Sequence, residues 1–456
     1  MSPLIHDSSR VARDKVRAAK RVAIVVTLLV GATTVGCAGS RSATPKAAIE
    51  SVATGMPRAR ADEVGLSAEA LARIAPALRT YTESSRLPGI VFAVARHGKL
   101  VQLEAVGSMD IAQRTPMRTD AVFRIFSMTK AVTGAAVAQM IERGKIRLDD
   151  PVSKYIPAFA NVRVYVGGPA AKPTLRTPTR PITIVDLLTH SAGLTYGAFG
   201  NSAVDSIYRS ANILDPARTI AQFADSIAQL PLIADPGTRW NYSMAMDVLG
   251  RVVEVASGTS FDRYLRDELF TPLGMRETGF HATPAMQGRI ATIYTRGANG
   301  ALLPDATLIG PGYRENDKVF AGGQGLLSTA ADYLRFTQML LNGGTLDGHR
   351  VLKPESVAMM MRNHLPPSLS PITPPPLGSK RGYGQGFGGI VMLDSVAAGL
   401  PTSPGEYQWC GYAGTYFWID RATDLIGMVW TQLYAGCPHP MEPQFQQLVY
   451  KAIVGR

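Results

Sequence analysis

The 456-residue sequence predicts an α+β fold: one antiparallel sheet made from both chain ends, packed by helices, with a mostly helical region inserted between them. Three observations predict it. β-rich runs follow Gly89, helical patterns broken by Pro and Gly loops extend from about Leu148 to Leu346, and β-rich runs return from Tyr383. A hydrophobic content of 46% in a chain this long is enough to bury a large core.

Residues 1–37 carry the pattern of an export signal. Arg10, Arg13, Lys15, Arg17, Lys20 and Arg21 precede the apolar run VAIVVTLLVGATTV and then Gly36 and Cys37. That run is shorter than the roughly 20 apolar residues a membrane span needs. Thr34-Val35-Gly36-Cys37 resembles a bacterial lipoprotein cleavage box, with Thr34 where the pattern prefers leucine. Lipidation at Cys37, ordinary cleavage nearby and an uncleaved anchor are the three outcomes, and all place the protein in the periplasm or outer cell envelope, with a membrane tether through its N-terminus in the first and last. Residues 38–62, rich in Ala, Ser, Thr and Arg, read as a linker. The folded domain is expected over residues 63–456.

Within it, LSAEALARIAPALRTY from Leu66 predicts a helix that Pro76 kinks or ends early. GIVFAVARHGKLVQLEAVG predicts a hairpin turning at Arg96-His97-Gly98-Lys99. Ser127 to Arg143 predicts a helix apolar nearly all round, hence buried, stopped by Gly144. ITIVDLLTH, RVVEVASG and DYLRFTQMLLNGG are the clearest helical segments of the middle, and YGQGFGGIVML, TYFWID and LIGMVWTQLY the late strands. FQQLVYKAIV closes the chain as an amphipathic helix, and PPSLSPITPPP is a Pro-rich surface loop.

The central helix raises a chemical question, because Ser127 and Lys130 lie one turn apart on it. Burying an ammonium without a partner is costly, and its usual escape is a lowered pKa. A neutral amine beside a hydroxyl is a general base beside a nucleophile. The alternative is a Lys130 that snorkels to solvent and a Ser127 that only caps the helix. A second candidate is Tyr242, in Trp240-Asn241-Tyr242-Ser243-Met244, immediately before a helix. A phenol near a lysine can serve as a base, and it can equally be a core-edge residue. The serine–histidine route lacks its motif: no G-x-S-x-G occurs, and Thr189-His190-Ser191-Ala192-Gly193 has Thr in the first glycine's place.

The net charge of +12 is partly N-terminal, and the remaining Lys and Arg are scattered without aromatic interleaving, so no nucleic-acid partner is expected. No Cys and His cluster has ligand spacing, so neither metal nor cofactor is expected. Of three cysteines, Cys410 and Cys437 would pair in an oxidising compartment or remain buried thiols.

Taken together and in order, several motifs carry a resemblance. Ser127-Met128-Thr129-Lys130, Leu187 to Leu194, Tyr242-Ser243, Phe270 to Met275, Gly322 to Thr329 and Gly382 to Phe387 resemble the class C β-lactamase-like serine hydrolases over roughly residues 65–455. The resemblance implies the β-lactamase/penicillin-binding-protein-like fold. It also implies a Ser127 acyl-enzyme served by Lys130 and Tyr242, and an oxyanion hole from the backbone N–H groups of Ser127 and Tyr412. Two departures set the subtype. No K-T-G or H-x-G occurs, and Trp409-Cys410-Gly411 looks like the W-x-G of the carboxylesterase branch; Met244 replaces the asparagine of Y-x-N. Trp409, Gly411 and Ser243 are then expected to bind substrate. Without the lysine that would hold a carboxylate, uncharged, short-chain esters are favoured. Lys380-Arg381 is a substitute cation pair, although it abuts the preceding Gly-rich strand. His190 is expected to brace its loop, and Gly322, Gly323 and Gly325 to permit a tight turn by the cleft. Competing readings are a β-lactamase or D-amino-acid peptidase, an acyltransferase, and a catalytically weak envelope binding protein.

Overall fold

Gly89–Arg96 (β1) and Lys99–Asp110 (β2) pair antiparallel across a two-residue turn. His97 and Gly98 there both have positive φ, 52° and 72°, the turn geometry that matches the twist of paired strands. This computed structural model describes residues 54–455 except 214, 216, 306–317, 370, 371, 373–379, 435, 437 and 438. Contacts divide the chain between Glu50 and Ser51, and the described residues belong to the second unit. The expected signal, Cys37 and most of the expected linker lie outside them, as does Cys437; Cys410 is disulfide-bonded. Among the described residues no helix is long and apolar enough to cross a membrane.

The sheet grows on both sides of β1. Thr115–Pro116 (β3) follows β2, while the late strands Tyr383–Gln385 (β6), Ile390–Met392 (β7), Tyr407–Gly411 (β8), Thr415–Asp420 (β9) and Leu425–Trp430 (β10) add in the order β6-β7-β8-β9-β10-β1-β2-β3. The register Val91↔Trp430 to Arg96↔Leu425 therefore joins the two ends of the chain. Val122–Arg124 (β4) and Leu327–Thr329 (β5) form a separate small pair. YGQGFGGIVML is two strands rather than one, because the chain turns at Gly386–Gly389, where the Gly386 N–H meets the Gly389 carbonyl.

Strand alternation gives the sheet two apolar faces. Ile90, Phe92, Val94, Trp418 and Val429 pack against Ile74–Glu83 (α1) and Met441–Lys451 (α6). Val91, Ala93, Ala95, Phe417 and Met428 join the larger core, with Thr129–Glu142 (α2), Ala245–Ser257 (α3), Ala330–Leu341 (α4) and Pro354–Met360 (α5). The break in the Leu66 segment falls at Arg73, three residues before Pro76. Pro76 sits in the first turn of α1, where its missing N–H would have had no partner.

Polar groups are also buried between sheet and α6. Glu406 is fully buried and accepts from Thr402 Oγ1, Gln408 Nε2 (2.8 Å), Gln446 Nε2 (2.8 Å) and Tyr450 OH (3.5 Å). Burial still raises its pKa from 4.5 to about 8. The folded state thus holds this proton more tightly than the unfolded chain, and the stability Glu406 contributes falls as pH rises from its unfolded value towards 8. Glu406→Gln should gain thermal midpoint relative to wild type between about pH 5 and 8; an offset independent of pH would contradict this.

Candidate active site

β4 ends at Arg124, and the chain makes one 3-10 turn, Phe126–Met128, before α2 begins. Phe126 adopts φ of 43°, a conformation that side chains with a Cβ seldom take and that clusters at functional positions. The turn is tied on three sides. Ile125 N–H donates to the Leu326 carbonyl (3.1 Å), Thr415 Oγ1 to the Ile125 carbonyl (3.2 Å) and Tyr333 OH to the Met128 carbonyl (2.9 Å). Gly411 lies against the same carbonyl: a Cβ there would come within 2.3 Å of Ile125 O. The strand end that carries Trp409 and Gly411 and leads into Tyr412 is thereby held beside Ser127.

Ser127 is partly exposed, and its Oγ has two partners, Lys130 Nζ at 3.2 Å and Tyr242 OH at 2.7 Å. Lys130 is fully buried; snorkelling to solvent is excluded. Its Nζ also meets the Gly323 carbonyl at 2.7 Å and Tyr196 OH at 2.9 Å, and lies 4.8 Å from the centre of the Tyr242 ring. Desolvation brings the Lys130 pKa down to about 7, against the attraction of Asp247. Burial likewise pushes the Tyr242 phenol well up, its hydrogen bond with Ser127 opposing. An amine partly deprotonated at neutral pH and a neutral phenol therefore flank the hydroxyl, one able to take a proton and the other to give one.

Two residues that sequence reasoning did not single out complete this network. Asp247, fully buried on α3, accepts from Gly323 N–H at 2.8 Å and from Tyr196 OH at 3.4 Å. Desolvation raises its pKa more than Lys130 lowers it, so burial outweighs the mutual attraction of the two charges. The Gly322–Gly323 turn is pressed against α3, where a Cβ on Gly322 would come within 2.6 Å of the Met246 carbonyl, and is tied to α2, whose Thr133 Oγ1 donates to the Gly322 carbonyl at 2.6 Å.

Around this centre stands an aromatic wall. Tyr242 packs with Trp409 (5.7 Å between ring centres), Trp240 (6.4 Å, stacked), Tyr196 (5.3 Å) and Phe199 (5.9 Å), and Phe199 reaches Tyr412 at 5.7 Å. Of the remaining candidates, Ser243 is 1% exposed and its Oγ lies 3.3 Å from His190 Nδ1. His190, held neutral by burial, packs 5.0 Å from the Tyr242 ring. Its carbonyl accepts from Asn241 N–H at 2.8 Å. Lys380 and Arg381 are not brought to this site; they line a cavity with Glu442 and Gln446 of α6, across the sheet. Among the described residues there is no group of three or more His, Cys, Asp or Glu placed to hold a metal.

A Cβ on Gly323 would meet the Asp247 carboxylate at 2.4 Å, so only a glycine lets Lys130 and Asp247 share this turn. Gly323→Ala should keep the fold and slow acylation of Ser127 by a nitrophenyl ester roughly tenfold or more. Wild-type acylation by the variant would show that this close approach does not position the amine.

The Beta-lactamase family description matches residues 74–448. Esterase EstB of Burkholderia gladioli is 32% identical over 387 residues, covering 80% of this chain and 91% of its own. Among solved structures, EstCE1, a hydrolase with promiscuous acyltransferase activity, is similar at a TM-score of 0.70 and 28% identity, over 85% of this chain and 99% of its own. Simvastatin synthase (LovD) from Aspergillus terreus, in its unliganded selenomethionyl form, has a TM-score of 0.71 and 25% identity, over 84% and 98%. The chain belongs to the Beta-lactamase family, as a serine hydrolase related to esterases and acyltransferases.

Proposed function

We propose that the protein is an exported serine hydrolase of the carboxylesterase branch that cleaves small uncharged esters through a Ser127 acyl-enzyme. The observation that carries this reading is the hydrogen-bonded trio of Ser127, Lys130 and Tyr242 at the foot of an aromatic wall. Support for an uncharged substrate comes from the wall itself and from the position of Lys380 and Arg381 beside α6. The esterase and acyltransferase relatives point to acyl chemistry of the same kind. Export rests on the N-terminal sequence pattern, with lipidation of Cys37, ordinary cleavage nearby or an uncleaved anchor as its outcomes.

Proton bookkeeping gives each residue a role. A neutral Lys130 amine has two N–H bonds and one lone pair, and it faces three partners. The Gly323 carbonyl must accept. Tyr196 accepts as well, because its own O–H points to Asp247. The lone pair is left for the Ser127 O–H. Ser127 Oγ attacks the ester carbonyl as Lys130 takes its proton, and the backbone N–H groups of Ser127 and Tyr412 receive the oxyanion. Tyr242 then gives its proton to the departing alcohol and is reprotonated from Lys130. Water repeats the sequence in reverse and releases the acid; an alcohol in its place gives acyl transfer.

The test is turnover of a short-chain nitrophenyl ester beside a chromogenic cephalosporin. Ester turnover should predominate; Ser127→Ala should lose it by roughly three orders of magnitude or more, and Lys130→Ala and Tyr242→Phe by about a hundredfold or more each. Comparable turnover by Ser127→Ala would sink the scheme. Preference for the cephalosporin would overturn the substrate class alone.

A further inference from the structure

Two ring contacts cross between the helical block and the sheet beside Ser127. Trp409 meets Tyr242 and Phe199 meets Tyr412, each at 5.7 Å between ring centres. The first is a foot of the cleft, because Trp409 is only 3% exposed. The second is its rim, since Phe199 and Tyr412 are both partly exposed. Among the described residues, Phe199 is the one ring that packs with Tyr242, at 5.9 Å, and with Tyr412 as well.

Both sides of the rim contact are anchored. The loop carrying Phe199 is fastened before and after that residue to the helix Ala203–Ser210. Thr195 Oγ1 donates to Asp205 Oδ1 and Ser202 Oγ to Asp205 Oδ2, each at 2.7 Å, while Arg209 donates to the carbonyls of Gly197 and of Gly200, the latter at 2.9 Å. Gly197, at a φ of 74°, lets the loop lie close to that helix: a Cβ there would come within 2.9 Å of the Asp205 carbonyl. Across the rim, the Tyr412 ring is backed edge-on by Tyr434 at 4.5 Å, and Tyr434 packs with Phe126 at 6.0 Å. Neither ring can swing aside without breaking these ties, so Phe199 gives the rim a definite width.

We infer that Phe199 is a specificity-determining residue that limits the alcohol portion of the ester, and of any alcohol acceptor, to small unbranched groups. The inference rests on the acyl-enzyme reading above. In that scheme Tyr412 N–H receives the oxyanion and Tyr242 OH serves the leaving oxygen. Phe199 packs on both of those residues, so it borders the edge of the tetrahedral carbon between these two oxygens. The substituent on the leaving oxygen extends towards the ring, and the acyl carbon, on the opposite side of that edge, extends away from it. Acyl transfer retraces the same path: the acceptor's oxygen bonds the acyl carbon as the Ser127 ester breaks, and its proton passes by way of Tyr242 and Lys130 to Ser127 Oγ. One ring therefore screens departing and incoming alcohols alike.

The experiment compares wild type, Phe199→Ala and Phe199→Leu on methyl, n-butyl and cyclohexyl acetates, and on nitrophenyl acetate and hexanoate. Wild type should favour methyl over cyclohexyl acetate in kcat/KM by about tenfold or more, and Phe199→Ala should shrink that ratio by a similar factor, with Phe199→Leu between them. The partition of nitrophenyl acetate between water and added cyclohexanol should shift towards the cyclohexyl ester in the same order. The hexanoate-to-acetate ratio should move less than about threefold, because the acyl chain points elsewhere. If Phe199→Ala does not fold, the same shifts are required of Phe199→Leu. Ester turnover with an unaltered alcohol preference, or a change confined to the acyl series, would overturn this inference and leave the acyl-enzyme reading standing. No turnover of any ester by folded wild type would overturn both.

Discussion

The burial of one amine organises this protein's chemistry. Lys130 is enclosed by the Gly323 carbonyl, Tyr196 and Ser127, and each of those neighbours comes from a different part of the chain. The desolvation penalty on the ammonium is what makes the group useful: a solvated lysine would stay protonated at neutral pH, and one sealed without polar partners would not fold. Asp247 sits at the balance point, holding Tyr196 and the Gly323 turn in place while remaining too desolvated to pin the proton on Lys130.

The rest of the fold serves this enclosure. Pairing of β1 with β10 brings the N-terminal strands to the late ones, and the same sheet presents Trp409 and Gly411 to the turn that carries Ser127. Close backbone approach recurs at the joints: Gly411 against Ile125, and Gly388, where a Cβ would come within 2.0 Å of the Lys130 carbonyl. Such contacts leave little freedom at the nucleophile turn. The left-handed Phe126 is held by hydrogen bonds that its neighbours Ile125 and Met128 make with the Leu326 carbonyl, Thr415 of β9 and Tyr333 of α4, an arrangement in which local strain is sustained by the surrounding structure.

Much of this was legible in the sequence, for identifiable reasons. A charge on an apolar helix marked Lys130, and the spacing to Ser127 placed them together. The hairpin at His97-Gly98 and the late strands Thr415–Asp420 and Leu425–Trp430 showed in composition alone. β8 did not: its five residues include the polar Gln408 and a terminal glycine, whereas the equally buried β9 and β10 carry longer apolar and aromatic runs. Asp247 was missed although the rule that found Lys130 applies to it: an acid in the apolar stretch AMDVLG, fully buried on α3. Tyr196 carries no such mark, since tyrosine is ordinary at a core edge, and its partners come from Lys130 and Asp247, distant in sequence.

The central claim is that burial brings the Lys130 amine to the point of losing its proton near pH 7. Titrating the ¹³Cε resonance of Lys130, assigned by its disappearance in Lys130→Arg, measures this directly without reference to turnover. The account predicts a midpoint of about 7, moving lower in Asp247→Asn because the charge that raises it is gone. A Lys130 that stays protonated until the ordinary range of about 10 would contradict it, and with it the role of this amine as the base.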